Sequence, residues 1–595
     1  MTGQPPTDST ALENLKVSSI ANNAISSGIL KLMDPAIEKL LGLDKIKKVY
    51  SEIQGMEDTE LIRVLFEHLN TTIKFKNHEL DFIPKKGPVI VVANHPYGGL
   101  DGIVLYSLLQ KVRPDFKIMA NDVLKLITEF KKQFILVDVF NEKAPQNRAA
   151  IKEALKHLSK DGLLAVFPAG EVSRYEFGKK KVTDKNWNDS FARLARMSGA
   201  QIVPIHFSGR NSLLFQLAGL AHPILRTALL PRQMMKKNRK IQVRVGQPLK
   251  QREIKQFSSS EQLSNFIRLK TYLLNEKPRD ILKSAKKKKN AKLQEEIAEE
   301  TDRELLVADI ENLEEKNHLL DHKEYSVFYG GIGDFPNLIL EIGRLREITF
   351  REVGEGSGKK YDLDKFDNTY KHLIVWNNEK NELVGSYRFA PVDEIVANHG
   401  IKGLYTSSFY KFSKSFKQKI SNGLELGRSF VRREYQKQFV PLMLLWKGIC
   451  RFILNNPRYH YLFGAVSISS NYDEKSRYLI SNLLISKNSE VKARKKYACR
   501  LKSDPDVSEV CKKLELDTLD LLSNLIKTVE GDKDVPILLK QYMKLGGQLH
   551  SFTVDDSFGD CLDGLIVVDL KESPKKTLKL YMDDHIDEYR EYHGL

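Results

Sequence analysis

Short apolar runs alternate with helix-patterned stretches along the first half of the sequence. The run Val89–Ala93 is β-branched, follows Pro88 and precedes glycines, so it predicts a buried strand. A second buried strand is predicted at 134–138, and further strands at 71–82 (a strand pair), 163–167 and 202–205. Apolar residues at helical spacing predict helices at 30–41, 104–109 and 149–158. Strands that alternate with helices predict an α/β fold.

The apolar stretch 213–230 is interrupted by polar side chains and a proline, namely Gln216, His222, Pro223 and Arg226. These interruptions make it unsuitable for crossing a bilayer, which takes about 20 apolar residues. Two interpretations stay open, because the stretch can lie at a membrane interface or form a helical pair that caps the core.

The pattern changes twice along the 595 residues, a length that predicts more than one core. Residues 276–322 carry the lysine run 286–289 and then an acidic helical stretch, which is typical of a solvated linker or of a segment attracted to an anionic leaflet. From Lys323 strands and helices alternate again. The predicted organisation is a domain at 1–275, a charged helical linker at 276–322 and an α/β domain at 323–595.

The chain has a net charge of +17 at pH 7, which favours a nucleic acid, an anionic membrane surface or an acidic carrier protein as partner. Basic residues are not interleaved with stacking aromatics, so no nucleic acid is expected. The four cysteines lack zinc-site or disulfide spacing, which favours a reducing cytoplasm. The amino terminus is polar and no long uncharged apolar run occurs, so we expect a cytoplasmic protein that does not span a membrane.

The first candidate chemistry follows the strand Val89–Ala93. His95 and Asp101 flank a turn in which Gly98 and Gly99 let the backbone bring the carboxylate beside the imidazole. An imidazole oriented by a carboxylate can take a proton from a hydroxyl that attacks a carbonyl, which contributes about 10²- to 10⁴-fold in rate. The turn contains no serine or cysteine, so direct transfer to an outside hydroxyl is the simpler prediction.

The letters N-H-P followed by Asp101 resemble the H-x4-D motif of the glycerolipid and lysophospholipid acyltransferase family. The resemblance implies that His95 is the catalytic base, that Asp101 orients it, and that Arg148 in the second motif region helps to hold the acceptor. The fourth motif corresponds to 202–205, which either lines the acyl pocket or is an ordinary core strand.

The segment 162–174 resembles the third motif of that family, whose common form is F-P-E-G-T-R-S. Here the letters are F-P-A-G-E-V-S-R, with Ala169 in the place of the acid and the acid Glu171 after the glycine. The usual motif helps to bind a glycerol phosphate, so the departure argues against a phosphate-bearing acceptor. The resemblance implies substrate-binding roles for Gly170, Glu171, Ser173 and Arg174.

Four motifs follow one another in the second half, R-x3-F, D-x2-D, G-x2-R and E-x2-R. Their order resembles a GNAT-like branch with autoinducer synthases and hemolysin-like ornithine-acyl carrier protein N-acyltransferases. The resemblance implies that Glu425 deprotonates an amine or organises the water that does so. It implies substrate-binding roles, or membership of a buried structural network, for Arg346, Phe350, Asp364, Asp367, Arg388 and Arg428.

In the GNAT-like fold, the backbone around the split central strands is implied to bind the pantetheine arm of a thioester and to polarise its carbonyl. The sequence has no clear Q/R-x2-G-x-G/A loop of the kind that holds the coenzyme A pyrophosphate. An acyl carrier protein is therefore the expected donor ahead of acyl-coenzyme A. We expect no tightly bound cofactor and no metal.

Two acyltransferase domains on one chain resemble the bifunctional synthases of bacterial amino-acid lipids. The C-terminal domain is then implied to N-acylate ornithine, glycine or a similar amino acid with a 3-hydroxyacyl chain, and the N-terminal domain to O-acylate the resulting lyso-aminolipid. Such an enzyme works as a peripheral protein on the inner face of the cytoplasmic membrane. Two alternatives remain, a lysophospholipid or 1-acylglycerol-3-phosphate acyltransferase with a degenerate GNAT module, and a carrier-protein scaffold without catalysis.

Overall fold

A computed structural model describes residues 42–56, 58–121, 132–138, 145–221, 229–275, 294–487, 489–516, 518–555 and 560–595. The helix predicted at 30–41 lies outside these residues. The chain divides into two compact units, residues 1–277 with 504–528, and residues 278–503 with 529–595. Each unit combines a mixed sheet with helices, so the predicted α/β fold is confirmed.

The strands of the first unit form a seven-stranded sheet and a small ribbon. They are β1 (Thr72–Lys74), β2 (Val89–Ala93), β3 (Phe116–Asn121), β4 (Phe134–Val137), β5 (Leu163–Val166), β6 (Arg174–Glu176), β7 (Lys181–Thr183), β8 (Gln201–Ser208) and β9 (Lys240–Val245). The sheet order is β1-β9-β8-β2-β5-β3-β4, and the ribbon pairs β6 with β7. Within the sheet β8 and β9 are antiparallel, and the other neighbours are parallel.

Helices flank this sheet. Within the described residues before 275 they are α1 (Leu43–Ile53), α2 (Asp58–Leu69), α3 (Gly99–Gln110), α4 (Pro145–Leu158), α5 (Ser190–Ser198), α6 (Leu213–Ala221), α7 (Leu230–Met234), α8 (Gln251–Ile254) and α9 (Ser260–Leu273). The predicted helices at 104–109 and 149–158 lie within α3 and α4. No helix within the described ranges combines the length and apolar character needed to cross a bilayer.

The centre of the sheet explains why the candidate base lies where it does. Every residue of β2 is buried, and β2 pairs in parallel with β5 and β8, so the carboxyl ends of the three strands meet at one edge. Asn94 fixes this edge, because its Nδ2 donates to Phe207 O at 2.9 Å and its Oδ1 accepts from Phe207 N at 2.7 Å. The apolar run therefore delivers His95 to this edge of the sheet.

Two predicted strands of the first unit need correction. The predicted strand pair at 71–82 is wrong, because β1 ends at Lys74 and Asn77–Phe82 is a 3₁₀ helix. The buried Glu79 carboxylate connects this segment to β9, because it accepts hydrogen bonds from Arg244 Nε at 2.8 Å and from Val245 N at 3.0 Å. Side-chain hydrogen bonds thus hold the segment against the sheet. The predicted buried strand at 134–138 is β4, but it lies at the sheet edge and is mostly half-buried.

The second unit is built on an eight-stranded sheet and a two-stranded ribbon. Its strands are β10 (His318–His322), β11 (Tyr325–Gly330), β12 (Lys371–Asn377), β13 (Glu382–Pro391), β14 (Tyr410–Phe412), β15 (Gly423–Val431), β16 (Tyr461–Ile468), β17 (Val491–Ala493), β18 (Gln548–Asp555) and β19 (Cys561–Asp569). The sheet order is β10-β11-β12-β13-β15-β16-β19-β18, and β14 pairs with β17.

The parallel pair β15 and β16 interrupts an otherwise antiparallel sheet. Its hydrogen-bonded register ends at Leu426 and Gly464, although both strands continue. Gly464 allows the close approach at this last position, because a Cβ there would lie 2.0 Å from Leu426 O. Beyond this point β15 stays paired with β13 and β16 with β19, so the two central strands split apart.

Further helices lie in the described part of the second half of the chain. They are α10 (Arg303–Glu311), α11 (Leu338–Glu352), α12 (Val392–His399), α13 (Lys414–Lys419), α14 (Phe439–Asn455), α15 (Glu474–Leu483), α16 (Pro505–Lys513), α17 (Leu519–Glu530), α18 (Ile537–Lys544), α19 (Lys575–Met582) and α20 (Ile586–Tyr592). The structure differs from the predicted domain boundaries at two places. β10, within the predicted linker, is hydrogen-bonded into the sheet, and α16 with most of α17 belongs to the first unit.

Candidate active sites

His95 and Asp101 form the candidate base of the first unit. His95 Nδ1 lies 3.1 Å from Asp101 Oδ2, and the carboxylate is fully buried while the imidazole is 18% exposed. Burial raises the pKa of Asp101, and the neighbouring imidazole opposes this shift. The imidazole packs against Phe167 with ring centroids 4.2 Å apart. An imidazole held through Nδ1 presents Nε2 as the proton acceptor for a substrate hydroxyl.

The motif spacing needs a correction, because five residues separate His95 from Asp101, one more than in H-x4-D. Gly98 lies in this turn with a φ of 78° and precedes α3. Asp101 Oδ2 accepts hydrogen bonds from Tyr97 N at 2.7 Å and Gly98 N at 3.0 Å. These bonds hold the carboxylate beside the imidazole despite the changed spacing.

A carboxylate that the sequence did not reveal holds the backbone of His95. Asp184 Oδ1 accepts from His95 N at 3.2 Å and from the Ser173 hydroxyl, and Oδ2 accepts from Trp187 Nε1 at 2.9 Å. Ser173 N donates to His95 O at 2.9 Å. The predicted site residue Ser173 therefore supports His95, and Asp184 joins the third-motif turn to the base. The sequence did not indicate the role of Asp184, because His95 lies 89 positions away from it and only Trp187 among these partners is close in sequence.

The other residues predicted for this site lie in the third-motif turn and on α4. Gly170 adopts a φ of 68° in the turn. Glu171 Oε1 lies 3.7 Å from Arg174 Nη1 and 3.9 Å from Lys185 Nζ. Arg148 is exposed in the first turn of α4. Substrate contacts of these side chains stay predictions.

Charged residues of the second-half motifs form a buried network. Arg346 Nε lies 3.1 Å from Asp362 Oδ2, and Arg346 Nη1 lies 3.0 Å from Asp367 Oδ1. Arg388 Nη1 lies 3.1 Å from the same oxygen of Asp367. Although burial acts to raise it, the two guanidinium groups hold the pKa of Asp367 below its ordinary value. Burial lowers the pKa of the neighbouring His372 to about 3.

The network extends to the open part of the central split through Arg428. This residue adopts a φ of 53°, and its Nη1 lies 2.8 Å from Asp362 Oδ1 and its Nη2 3.6 Å from Asp364 Oδ2. Asp364 in turn lies 2.8 Å from Arg388 Nη1. Asp362, which was not among the predicted site residues, thus bridges two arginines. Phe350 is half-buried on α11.

Glu425 is buried and surrounded by donors. Its Oε2 accepts from Tyr405 N at 2.9 Å and from the Tyr370 hydroxyl, and its Oε1 accepts from Thr406 N and the Thr406 hydroxyl. Burial raises the pKa of this carboxyl. Because both oxygens are already occupied, the geometry favours an organising role over direct proton transfer.

Two family models match the chain, one described as acyltransferase at residues 36–279 and one described as acetyltransferase (GNAT) domain at residues 345–447. The chain is 32% identical over 299 residues to the glycine N(alpha)-acyltransferase of Phocaeicola vulgatus, which covers 47% of this chain and 90% of that relative. The chain belongs to the glycine N(alpha)-acyltransferase family.

Other relatives of this chain are named for O-acyl transfer or for N-acyl transfer. The lyso-glycine lipid O-acyltransferase of Phocaeicola vulgatus is 23% identical over 246 residues, covering 40% of this chain and 86% of the relative. The L-ornithine N(alpha)-acyltransferase of Agrobacterium fabrum is 23% identical over 246 residues, covering 40% of this chain and 77% of the relative. The family member is therefore an acyl-transferring enzyme with an acyltransferase domain and a C-terminal GNAT domain.

Proposed function

We propose that this chain makes an amino-acid lipid by two successive acyl transfers. The second unit attaches a 3-hydroxyacyl chain to the amine of an amino acid, and the first unit esterifies the new 3-hydroxyl with a second acyl chain. The observation that carries the proposal is the presence, on one chain, of a carboxylate-supported imidazole and a split parallel strand pair. Similarity to relatives named for each step supports it.

His95 is the proposed general base of the O-acyl transfer. Its Nε2 takes the proton of the 3-hydroxyl as that oxygen attacks the thioester carbonyl carbon, and the imidazolium then gives the proton to the departing thiolate. The Asp101 carboxylate, 3.1 Å from Nδ1, stabilises the imidazolium between these two steps.

The third-motif turn supports a lyso-aminolipid as the acceptor. Ala169 stands where the family pattern has an acid. Arg174 is 41% exposed, with its Nε donating to Glu176 Oε1 at 2.8 Å and its Nη1 lying 3.7 Å from Glu171 Oε1. An amino-acid head group carries a carboxylate, which an accessible guanidinium can bind through charge-assisted hydrogen bonds. The changed motif thus fits a carboxylate head group in place of a glycerol phosphate.

An acyl carrier protein is the proposed donor of the N-acyl transfer. The sequence has no clear glycine-containing loop for a coenzyme A pyrophosphate, and the chain carries a net charge of +17. A basic enzyme attracts an acidic carrier and increases the rate of productive encounters. The buried arginine–aspartate network beside the split keeps the surrounding strands and loops in place.

Helix α6 is the proposed membrane contact. Four of its leucines are 44–73% exposed, whereas Phe215 between them is fully buried. The exposed leucines are Leu213, Leu214, Leu217 and Leu220. α6 follows β8, whose carboxyl end lies beside that of β2, so the helix begins at the sheet edge that carries His95. Exposed apolar patches of this kind mark interaction sites. We therefore propose that α6 holds the enzyme as a peripheral protein on the inner face of the cytoplasmic membrane.

Competition between two acceptors tests the proposal with the purified full-length chain. An N-(3-hydroxyacyl) amino acid and lysophosphatidic acid are offered together with one acyl thioester, and both O-acylated products are quantified. We expect faster acylation of the aminolipid, and loss of the product in the His95→Ala variant. A preference for lysophosphatidic acid contradicts the proposal and supports a phospholipid acyltransferase.

A further inference from the structure

Glu355 lies next to the split between β15 and β16. It follows α11, and its N–H donates to Phe350 O at 2.7 Å, which fixes its backbone. The Cys561 thiol donates a hydrogen bond to its carboxylate, and the charges of Asp563 and Arg428 act on it. The residue as a whole is half-buried.

The neighbours of Glu355 show which part of the split it faces. Asp563 of β19 pairs in register with Ser467 of β16, whose Oγ donates to Asp563 Oδ1 at 2.6 Å. Ser467 is exposed and lies beyond Gly464, where the parallel ladder ends. The open end of the split is therefore reached by solvent and has two carboxylates beside it, those of Glu355 and Asp563.

Glu355 and Glu425 differ in how well their carboxylates can accept a proton from a substrate. Glu425 is 1% exposed, and hydrogen-bond donors occupy both of its oxygens. Burial and the charge of Asp563 raise the pKa of Glu355 to about 7. A base whose pKa lies near the working pH is about half deprotonated and accepts a proton readily.

We propose that Glu355 is the general base of the N-acyl transfer, an inference that rests on the function proposed for the second unit. Glu355 removes one proton from the α-ammonium group of the amino acid, and the nitrogen lone pair attacks the thioester carbonyl carbon. An N–C bond forms and the C–S bond breaks. A second proton of the nitrogen goes to the departing thiolate, and Glu355 releases its own proton to water. The negative charge of Asp563 attracts the ammonium group before this transfer.

The groups around Glu355 fix the sign of the pH dependence. Cys561 and Asp563 face it from β19, and Arg428 faces it from β15. Burial raises the pKa of Cys561, and the pKa of Arg428 lies above its ordinary value against the opposing effect of burial, so neither group changes its charge near neutral pH. A base must be deprotonated to act, so kcat for N-acylation falls as the pH decreases below about 7.

Kinetics of the Glu355→Gln variant test the inference in the full-length chain. N-acylation of glycine and of ornithine by a 3-hydroxyacyl carrier protein is followed from pH 5.5 to 9, with saturating substrates. We expect kcat to fall by about 10²- to 10⁴-fold, the KM for the donor to stay unchanged and the decline toward low pH to disappear. Glu355→Asp keeps a carboxylate and retains intermediate activity. Glu591→Gln, a change on the exposed face of α20, leaves kcat unchanged.

Two further readouts separate catalysis from folding. The melting temperature and the O-acylation of a supplied lyso-aminolipid stay at wild-type values in Glu355→Gln. If Glu355→Gln instead melts at a lower temperature, the pH dependence of kcat for N-acylation by the wild type decides. A kcat that stays constant below pH 7 overturns the inference, and a kcat that declines there supports it. If Glu355→Gln keeps the wild-type kcat and pH profile, Glu355 is not the base, but the proposed function of the second unit stands. A wild-type chain that N-acylates no amino acid overturns the proposed function, and this inference with it.

Discussion

The Asp506 carboxylate accepts a hydrogen bond of 2.8 Å from the Thr183 hydroxyl, although the two residues lie 323 positions apart in sequence. The residue after Thr183 is Asp184, which accepts from the backbone N–H of His95. A segment from the second half of the sequence thus completes the first unit and supports the peptide that carries its base.

Removing the Asp506 charge should destabilise the first unit. Asp506 is fully buried and lies 2.7 Å from Lys179 Nζ and 2.6 Å from Lys181 Nζ, so Asp506→Asn leaves two ammonium groups without this partner. Breaking a fully buried ion pair costs about 3–5 kcal/mol. The loss here should be smaller, because Lys179 keeps Glu509 and Lys181 keeps Asp504 as partners at 2.6 Å and both lysines are partly exposed. Denaturant unfolding should show the lower free energy of unfolding, and an activity assay should show slower O-acylation. An equal loss in Asp520→Asn, an exposed change on α17, would contradict this account.

The ion pairs of Asp506 with Lys179 and Lys181 predict that acid lowers the free energy of unfolding. Although burial acts to raise it, the two lysines hold the pKa of Asp506 below its ordinary value. A depressed carboxyl pKa contributes stability above the unfolded-state value of about 3.9, and this stability is lost as the pH falls through the folded-state pKa. Unfolding measured between pH 6 and pH 3 should therefore show a smaller loss in Asp506→Asn than in the wild type.

Substitution of Glu425 should damage the fold as well as the activity. Gln at this position keeps one acceptor oxygen but places an amide beside Thr406 N or Tyr405 N, which are donors themselves. Leaving a buried donor unsatisfied costs about 1–3 kcal/mol. We expect Glu425→Gln to lower both the melting temperature and N-acylation, in contrast to Glu355→Gln. A Glu425→Gln protein with wild-type melting but no N-acylation would restore a direct catalytic role.

His372 should make the second unit less stable in mild acid. Burial lowers the pKa of His372 to about 3, whereas in the unfolded chain it is about 6.5. The unfolded state therefore binds the proton first, and the free energy of unfolding falls as the pH decreases from about 6.5 toward 3. His372→Leu should flatten this dependence between pH 6.5 and 4.5. An unchanged slope in the variant would exclude His372 as its source.

Exposed leucines of α6 should control vesicle binding. Each buried leucine contributes about 1.5–3 kcal/mol, so replacing Leu213 and Leu217 by serine should weaken binding to anionic vesicles at least about tenfold. Leu305→Ser, which changes a leucine of α10 that is 48% exposed, serves as the matched control. Sedimentation with vesicles measures both. Equal binding by wild type and double variant would refute the role of α6.

The proximity of His95 and Asp101 in the first candidate site could be predicted because its parts are local. A short β-branched run fixes β2, and the glycines after it allow the turn that brings Asp101 to His95. The order of the second-half motifs likewise located the network of Arg346, Asp367 and Arg388. In these cases the residues that act together are close in sequence or form a recognisable series.

What the sequence did not reveal depends on distant partners. Asp184 and Asp506 acquire their roles from segments far along the chain, and nothing in their neighbouring residues indicates this. Burial decides the difference between Glu425 and Glu355, and two glutamates look alike in sequence until packing occupies the oxygens of one and leaves the other half-exposed. The predicted strand pair at 71–82 was wrong for a similar reason. Residues 77–82 form a 3₁₀ helix, and the Glu79 side chain connects it to the distant Arg244.

Mass spectrometry of total lipids tests the two-transfer account most directly. A host without aminolipids expresses the intact chain, the His95→Ala variant or the Glu425→Ala variant. The account predicts an N,O-diacylated amino acid from the intact chain, its N-monoacyl precursor from His95→Ala, and neither lipid from Glu425→Ala. The absence of any aminolipid, with a shift only in phospholipid acyl composition, would contradict it.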